Sequence, residues 1–147
     1  MIKARHIGLV VEDIDRSLDF YQGVFGFPLK KRAYEDAGHY IEALVGIKDV
    51  TVEYAKMEIA EGVVLELLQY HSHPSKKTNS FYPSNRHGCS HFALTVDSID
   101  EIYSKLVARG VHCNSQPLHS PDGNVRVFYA HDPDGIILEL VEDLAHG

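Results

Sequence analysis

The apolar positions of the chain follow two periods, and each period occurs twice. His6–Val11 and His91–Val96 are short apolar runs, each reading as a strand opened by a histidine. After the first, Ile14, Leu18, Tyr21 and Phe25 recur at helical spacing, with Asp13 as N-cap, Gly26 at the end and Pro28 blocking continuation. After the second, Ile99, Tyr103 and Leu106 repeat the pattern up to Gly110, and Ser98 with Glu101 reads as a capping box. Tyr40–Val45 and Thr51–Ile59 read as strands in the first half. Val125–Ala130 reads as a strand after the Asp122-Gly123 hairpin signal. Each half closes on a similar run of β-formers opened by glycine, Gly62–Leu68 and Gly135–Val141. The second of these follows the tight-turn sequence Asp132-Pro133-Asp134-Gly135.

The chain is therefore an internal repeat of β-α-β-β-β, with module one at 1–70, a connection at 71–87 and module two at 88–147. One such half buries only one sheet face and is too small to be stable alone. The expected fold is α+β, with two paired modules forming a curved, mostly antiparallel sheet and the helices outside. The whole is a single domain.

Each closing run carries one carboxylate, Glu66 or Glu139. An unpaired ionised carboxylate in an apolar interior is costly, so it is neutralised, paired or bound to a metal. Alternation puts Val64, Glu66 and Leu68 on one strand face, and Ile137, Glu139 and Val141 on the matching face of the other copy. If the halves are related by a pseudo-twofold axis, His6, Glu66, His91 and Glu139 converge in the concave face. Two carboxylates balance a divalent cation, and two neutral imidazoles fill further positions. This mixed N/O set suits Ni, Co, Mn or Fe, and Zn with expanded coordination. Taken singly, each histidine is more often a hydrogen-bonded core residue, and a strand glutamate more often exposed or ion-paired. Recurrence of both types at both places shifts the balance toward a metal site.

Composition narrows the partners. Net charge is −7 with no basic tract, which argues against nucleic acid. The apolar runs are too short to span a membrane, and Met1 leads almost directly into a strand, leaving no room for a signal peptide. Cys89 and Cys113 form no disulfide framework and read as small buried thiols of a cytoplasmic protein. Residues His71–Gly88 have no period and read as a connection. The stretch holds Lys76, Lys77 and Arg86. A solvated loop is the leading reading there, with attraction of an anionic substrate as the alternative. His71 and His73, beside Pro74, read as exposed polar decoration.

Beyond these readings, His6–Val11, Asp15–Tyr21, Gly88–Val96, Asp132–Gly135 and both Leu-Glu-Leu strands resemble the glyoxalase I / bleomycin-resistance / extradiol-dioxygenase superfamily, the vicinal oxygen chelate proteins. The resemblance covers nearly the whole chain. It implies a metal site in a cupped sheet, with the four ligand positions on His6, Glu66, His91 and Glu139. That full set is similar to bacterial glyoxalase I. The implied activity is that of a metal-dependent lyase or isomerase acting on a small vicinal-oxygen substrate through an enediolate. Glu139 is the implied base and Glu66 the alternative. A homodimer is the implied assembly, the site forming within one chain or across two. The other activities on this scaffold are an Fe(II) extradiol dioxygenase and a metal-free sequestration protein. Where glyoxalase I has an arginine soon after its first ligand, Val10 and Val11 stand here.

Overall fold

The structure is a computed structural model and describes residues 1–76, 81–88 and 91–144. Lys77 and Cys89 lie outside the described residues. The chain divides into two compact units, Met1–Lys77 and Thr78–Gly147. Unit one runs β1 (His6–Val10), α1 (Ile14–Phe25), β2 (Leu29–Glu35), α2 (His39–Val45), β3 (Val52–Ala60) and β4 (Val63–Tyr70). Unit two runs β5 (His91–Thr95), α3 (Ile99–Ala108), β6 (Leu118–His119), β7 (Val125–His131) and β8 (Ile137–Asp143). The strand orders are β1-β4-β3-β2 and β5-β8-β7-β6, the same arrangement in the two units. In each, the first strand pairs parallel with the last and the remaining pairs are antiparallel. The α+β class and the β-α-β-β-β order thus hold, with each sheet mixed.

Both main helices sit where the periodicity puts them. Asp13 Oδ1 accepts the Arg16 amide at 3.0 Å, and Gly26 closes α1 in the left-handed region at φ 72°. Ile14, Leu18 and Tyr21 are buried, and α1 packs on β3 and β4 against Ala55, Met57, Leu65 and Leu67. In unit two, α3 packs on β7 and β8 through Ile99 and Leu106, and Tyr103 meets Phe128 edge-on at 5.3 Å. The expected capping box does not form, since the Ser98 side chain makes no cap hydrogen bond. Instead the Ile99 amide reaches Glu142 Oε1 at 3.4 Å, as the Ile14 amide reaches Gln69 Oε1 at 2.8 Å. Gln69 and Glu142 each lie three residues beyond the repeated glutamate, so the last strand of each unit caps its helix. Asp132 Oδ1 accepts the Asp134 and Ile136 amides at 2.9 Å each, and Gly135 takes φ 83°, as the turn sequence requires.

Tyr40–Val45 is helical, not extended. Its apolar residues are compatible with either period, and Gly46 decides for the helix. At φ 72° it donates to the Glu42 carbonyl at 2.9 Å. The second strand of the unit is instead β2, which carries Lys30, Lys31 and Arg32 and lies at the sheet edge, where charge discourages pairing with other chains. Helix α2 seats Ile41 on Val50 and Val52, with Leu68 and Tyr70 beside them. Cys113 is half-buried rather than buried, and burial pushes its thiol up. Among the described residues, no helix is long and apolar enough to cross a membrane.

The most buried carboxylate is neither Glu66 nor Glu139. Glu53, on the helix side of β3, has 1% of its side chain exposed. It receives Arg32 Nε on Oε1 and His71 Nε2 on Oε2 at 2.8 Å, with Tyr34 as a further hydrogen-bond partner. Arg32 continues to Asp15 of α1 at 2.6 Å. His71 is therefore not decoration, and its ring also stacks on Tyr34 at 5.5 Å. Burial raises the Glu53 pKa, but Arg32, His71 and Tyr34 outweigh it and hold the carboxyl below its ordinary value.

Glu53→Gln should lower stability by roughly 2–3 kcal/mol, less than for a fully buried pair because Arg32 and His71 are about a third exposed. A carboxyl whose folded pKa is depressed contributes stability above its unfolded pKa and loses it as pH falls through the folded value. Urea unfolding across the acid range should therefore show a shallower loss of stability with falling pH in Glu53→Gln than in the natural protein. Parallel curves would remove Glu53 from this role.

Candidate metal and substrate site

Parallel pairing brings the two predicted residue types of each unit together. In unit one, His6 lies opposite Val64, and Gly8 opposite Glu66. His6 and Glu66 therefore project from the same sheet face, one pleat apart. The contact is His6 Nε2 to Glu66 Oε2 at 3.1 Å, with 35% and 13% of the side chains exposed. Unit two repeats it, with Ala93 opposite Glu139 and His91 Nε2 at 3.0 Å from Glu139 Oε2. The helix-side neighbours Leu65, Leu67, Leu138 and Leu140 are fully buried. The glutamates thus stand on the open face of each sheet, and the closed face is apolar around them. Among the described residues, no group of three or more His, Cys, Asp or Glu is assembled for a metal, and the pairs are described each within its own unit.

The two pairs differ in what stands across the hairpin. Lys56 pairs with Glu66 in the β3–β4 register, and its Nζ lies 3.2 Å from Glu66 Oε1. The equivalent position in unit two is Tyr129, opposite Glu139 in the β7–β8 register, with its ring 5.2 Å from that of His91. Burial, then the Glu139 charge, push the Tyr129 phenol up, which keeps it neutral. Glu66 is engaged at both oxygens. Glu139 is engaged at Oε2, and no partner meets its Oε1 among the described residues.

Neither Lys56 nor Tyr129 stood out in the sequence. Counting back equally from the Glu61-Gly62 turn would have placed Met57 across from Glu66, and only the bulge between Glu58 and Ala60 shifts the register to bring Lys56 there. A cavity of about 460 Å³ opens beside His6, lined by Lys3, Ala4, Arg5, His6, Lys56, Gly62 and Val64. Of the cations expected to meet an anion, Arg86 lies over the Tyr82 ring at 4.0 Å.

Comparison with known proteins gives the following likenesses. The sequence profile of the Glyoxalase/Bleomycin resistance protein/Dioxygenase superfamily matches residues 3–140. A lactoylglutathione lyase of Neisseria meningitidis is 28% identical over 137 residues, 93% of this chain and 88% of that one. A glyoxalase family protein of Bacillus cereus has a TM-score of 0.88 at 25% identity, over 99% of this chain and 96% of that one. A fosfomycin resistance protein of Listeria monocytogenes shares the fold, with a TM-score of 0.65 at 19% identity, over 99% of this chain and 96% of that one.

Proposed function

Because the chain belongs to the Glyoxalase/Bleomycin resistance protein/Dioxygenase superfamily, we propose that it is a metal-dependent lyase or isomerase of the glyoxalase I type. Its substrate is a small molecule with two adjacent oxygens. The observation that carries this reading is the donor pair repeated in the two units, imidazole against carboxylate at 3.1 and 3.0 Å on the open sheet face. The donor chemistry fits a divalent ion, with two carboxylates for charge and two imidazoles for further coordination. His6, Glu66, His91 and Glu139 are the residues that would hold it, and Ni, Co, Mn, Fe and Zn all suit such a set. When bound, the metal polarises the substrate's vicinal oxygens and acidifies the adjoining C–H.

The rest of the chemistry falls to the chain's own side chains. Glu139 takes the proton from carbon and returns it to the neighbouring carbon. Its Oε1 is the oxygen without a partner among the described residues, which favours it over Glu66. Lys56 holds Glu66 Oε1 and makes Glu66 the positioning carboxylate. Tyr129, kept neutral, brings no second charge to Glu139. The name of the Neisseria relative makes lactoylglutathione formation the first activity to assay. Val10 is exposed and Val11 buried, and neither can hold an acidic group, which favours a smaller substrate than a glutathione adduct. The homodimer belongs to this reading, and sedimentation of the full chain with and without metal tests it.

Protein purified without chelators should carry about one divalent ion per chain. Glu139→Gln should lower kcat by roughly 10²–10⁴-fold while weakening metal binding only in part. His6→Ala removes a ligand and leaves the base, so added metal should restore it better than it restores Glu139→Gln. Equal rescue would make Glu139 a ligand only. Metal-free protein that binds a drug stoichiometrically would replace this reading with sequestration. O₂ consumption by the Fe(II)-loaded chain would replace it with a dioxygenase.

A second prediction concerns Lys56. Its ammonium occupies Glu66 Oε1 and repels a metal, so Lys56→Met should raise metal affinity by roughly 3- to 10-fold. Competition with a chromophoric chelator measures this, and weaker binding would show that Lys56 supports the site rather than competing for it.

A further inference from the structure

We propose that the cavity beside His6 is a subsite for an acidic group, carboxylate or phosphate, carried by the same substrate whose vicinal oxygens meet the donor pairs. The proposal rests on the functional reading above and deepens it by naming the substrate class: a small hydroxy- or oxo-compound with an anionic end. Four observations carry it. The cavity is lined by three cations, Lys3, Arg5 and Lys56, and by no carboxylate, in a chain of net charge −7. Lys3 and Arg5 have no ion-pair or hydrogen-bond partner among the described residues. Glu58, opposite Val64 on the same sheet face, does not neutralise them, because it is already paired with Lys30 at 2.7 Å. Finally, His6 is both a wall of the cavity and a member of the donor pair, and Lys56 touches both through Glu66.

The size also fits. A volume of about 460 Å³ lies within the range of ligand pockets and accepts a few-carbon acid or phosphate ester. Lys3 and Arg5 precede β1, so they reach the cavity from the chain segment that leads into His6. Arg5 can meet a carboxylate or phosphate with two parallel hydrogen bonds and Lys3 adds a point charge, while the Lys56 charge is already paired with Glu66.

The test is calorimetric titration of the full chain at low ionic strength with three probes that share an α-hydroxyketone. Hydroxyacetone is neutral, dihydroxyacetone phosphate adds a phosphate, and 5-hydroxy-4-oxopentanoate adds a carboxylate. At least one anionic probe should bind about 5- to 30-fold more tightly than hydroxyacetone. The double variant Lys3→Gln/Arg5→Gln should lose that preference with an unchanged melting transition, and so should the natural protein in high salt. The control Lys48→Gln, a cation outside the cavity, should keep it. Whichever anion gains names the acidic group.

Three results would overturn the subsite: no gain for either anion, a gain that survives the double variant, or a gain lost equally in Lys48→Gln. Running each titration with and without added metal separates this proposal from the one beneath it. Failure of the metal reading removes metal-dependent binding of hydroxyacetone and leaves the anion preference. Failure of the subsite does the reverse.

Discussion

Parallel pairing of the first and last strands is the constraint on which the site depends. An antiparallel neighbour would place the strand-opening histidine at the far end of the partner from its glutamate. The parallel register sets Gly8 beside Glu66 and Ala93 beside Glu139, leaving each histidine one pleat away on the same face. Parallel neighbours need a crossover between them, and the intervening helix and strands supply it. The main helix covers one face of the sheet, which leaves the donor pair on the other, and in unit one α2 covers that other face only at its far end, over Val52, Leu68 and Tyr70. Burial of Leu65, Leu67, Leu138 and Leu140 then holds the register, because a slip by one residue would turn these leucines outward and the glutamates into the core.

Repetition preserved some positions and let others diverge. Gln69 and Glu142 keep the same job, accepting the first helical amide of their units. The charge that ties sheet to helix has changed sign. In unit one the buried Glu53 uses Arg32 as its link to Asp15, and in unit two Arg126, at the matching place on β7, reaches Asp100 directly with two bonds of 2.7 Å. Across from the repeated glutamates, a cation in one unit faces a phenol in the other. The His–Glu pairs are alike, but among the described residues Glu66 is held at both oxygens and Glu139 at one.

Both main helices and the repeat were legible because each depends on local period or on recurrence, which one sequence displays, and the same recurrence singled out the His6–Glu66 and His91–Glu139 pairs. The readings that failed depended on tertiary context. Tyr40–Val45 fits helix and strand equally by its apolar residues, and only the flanking glycine geometry separates them. Strand β2 shows no apolar alternation because an edge strand is half solvated and charged. Glu53 sits in an ordinary alternating strand, so its burial could not be seen without knowing that Arg32 and His71 converge on it. Ser98 and Glu101 matched a capping motif by spacing, but Glu142, distant in sequence, takes over the helix terminus.

The protein keeps structural and chemical charge on opposite faces of the same strands. On β3, Glu53 points to the helix and is almost fully enclosed, while Lys56, three residues on, points to the open face. Glu53 must stay paired, because an uncompensated buried carboxylate is costly. Glu66 and Glu139 are under less demand. They are partly exposed, and each already has an imidazole within about 3 Å. A metal arriving at either pair would therefore exchange an existing contact for a coordinate bond rather than fill an unsatisfied hole. The imidazole contact pairs each carboxylate within its own sheet. It also means that binding reads the difference between metal–ligand bonds and the His–Glu contacts they replace, a difference that neighbours such as Lys56 can tune without disturbing the apolar core behind them.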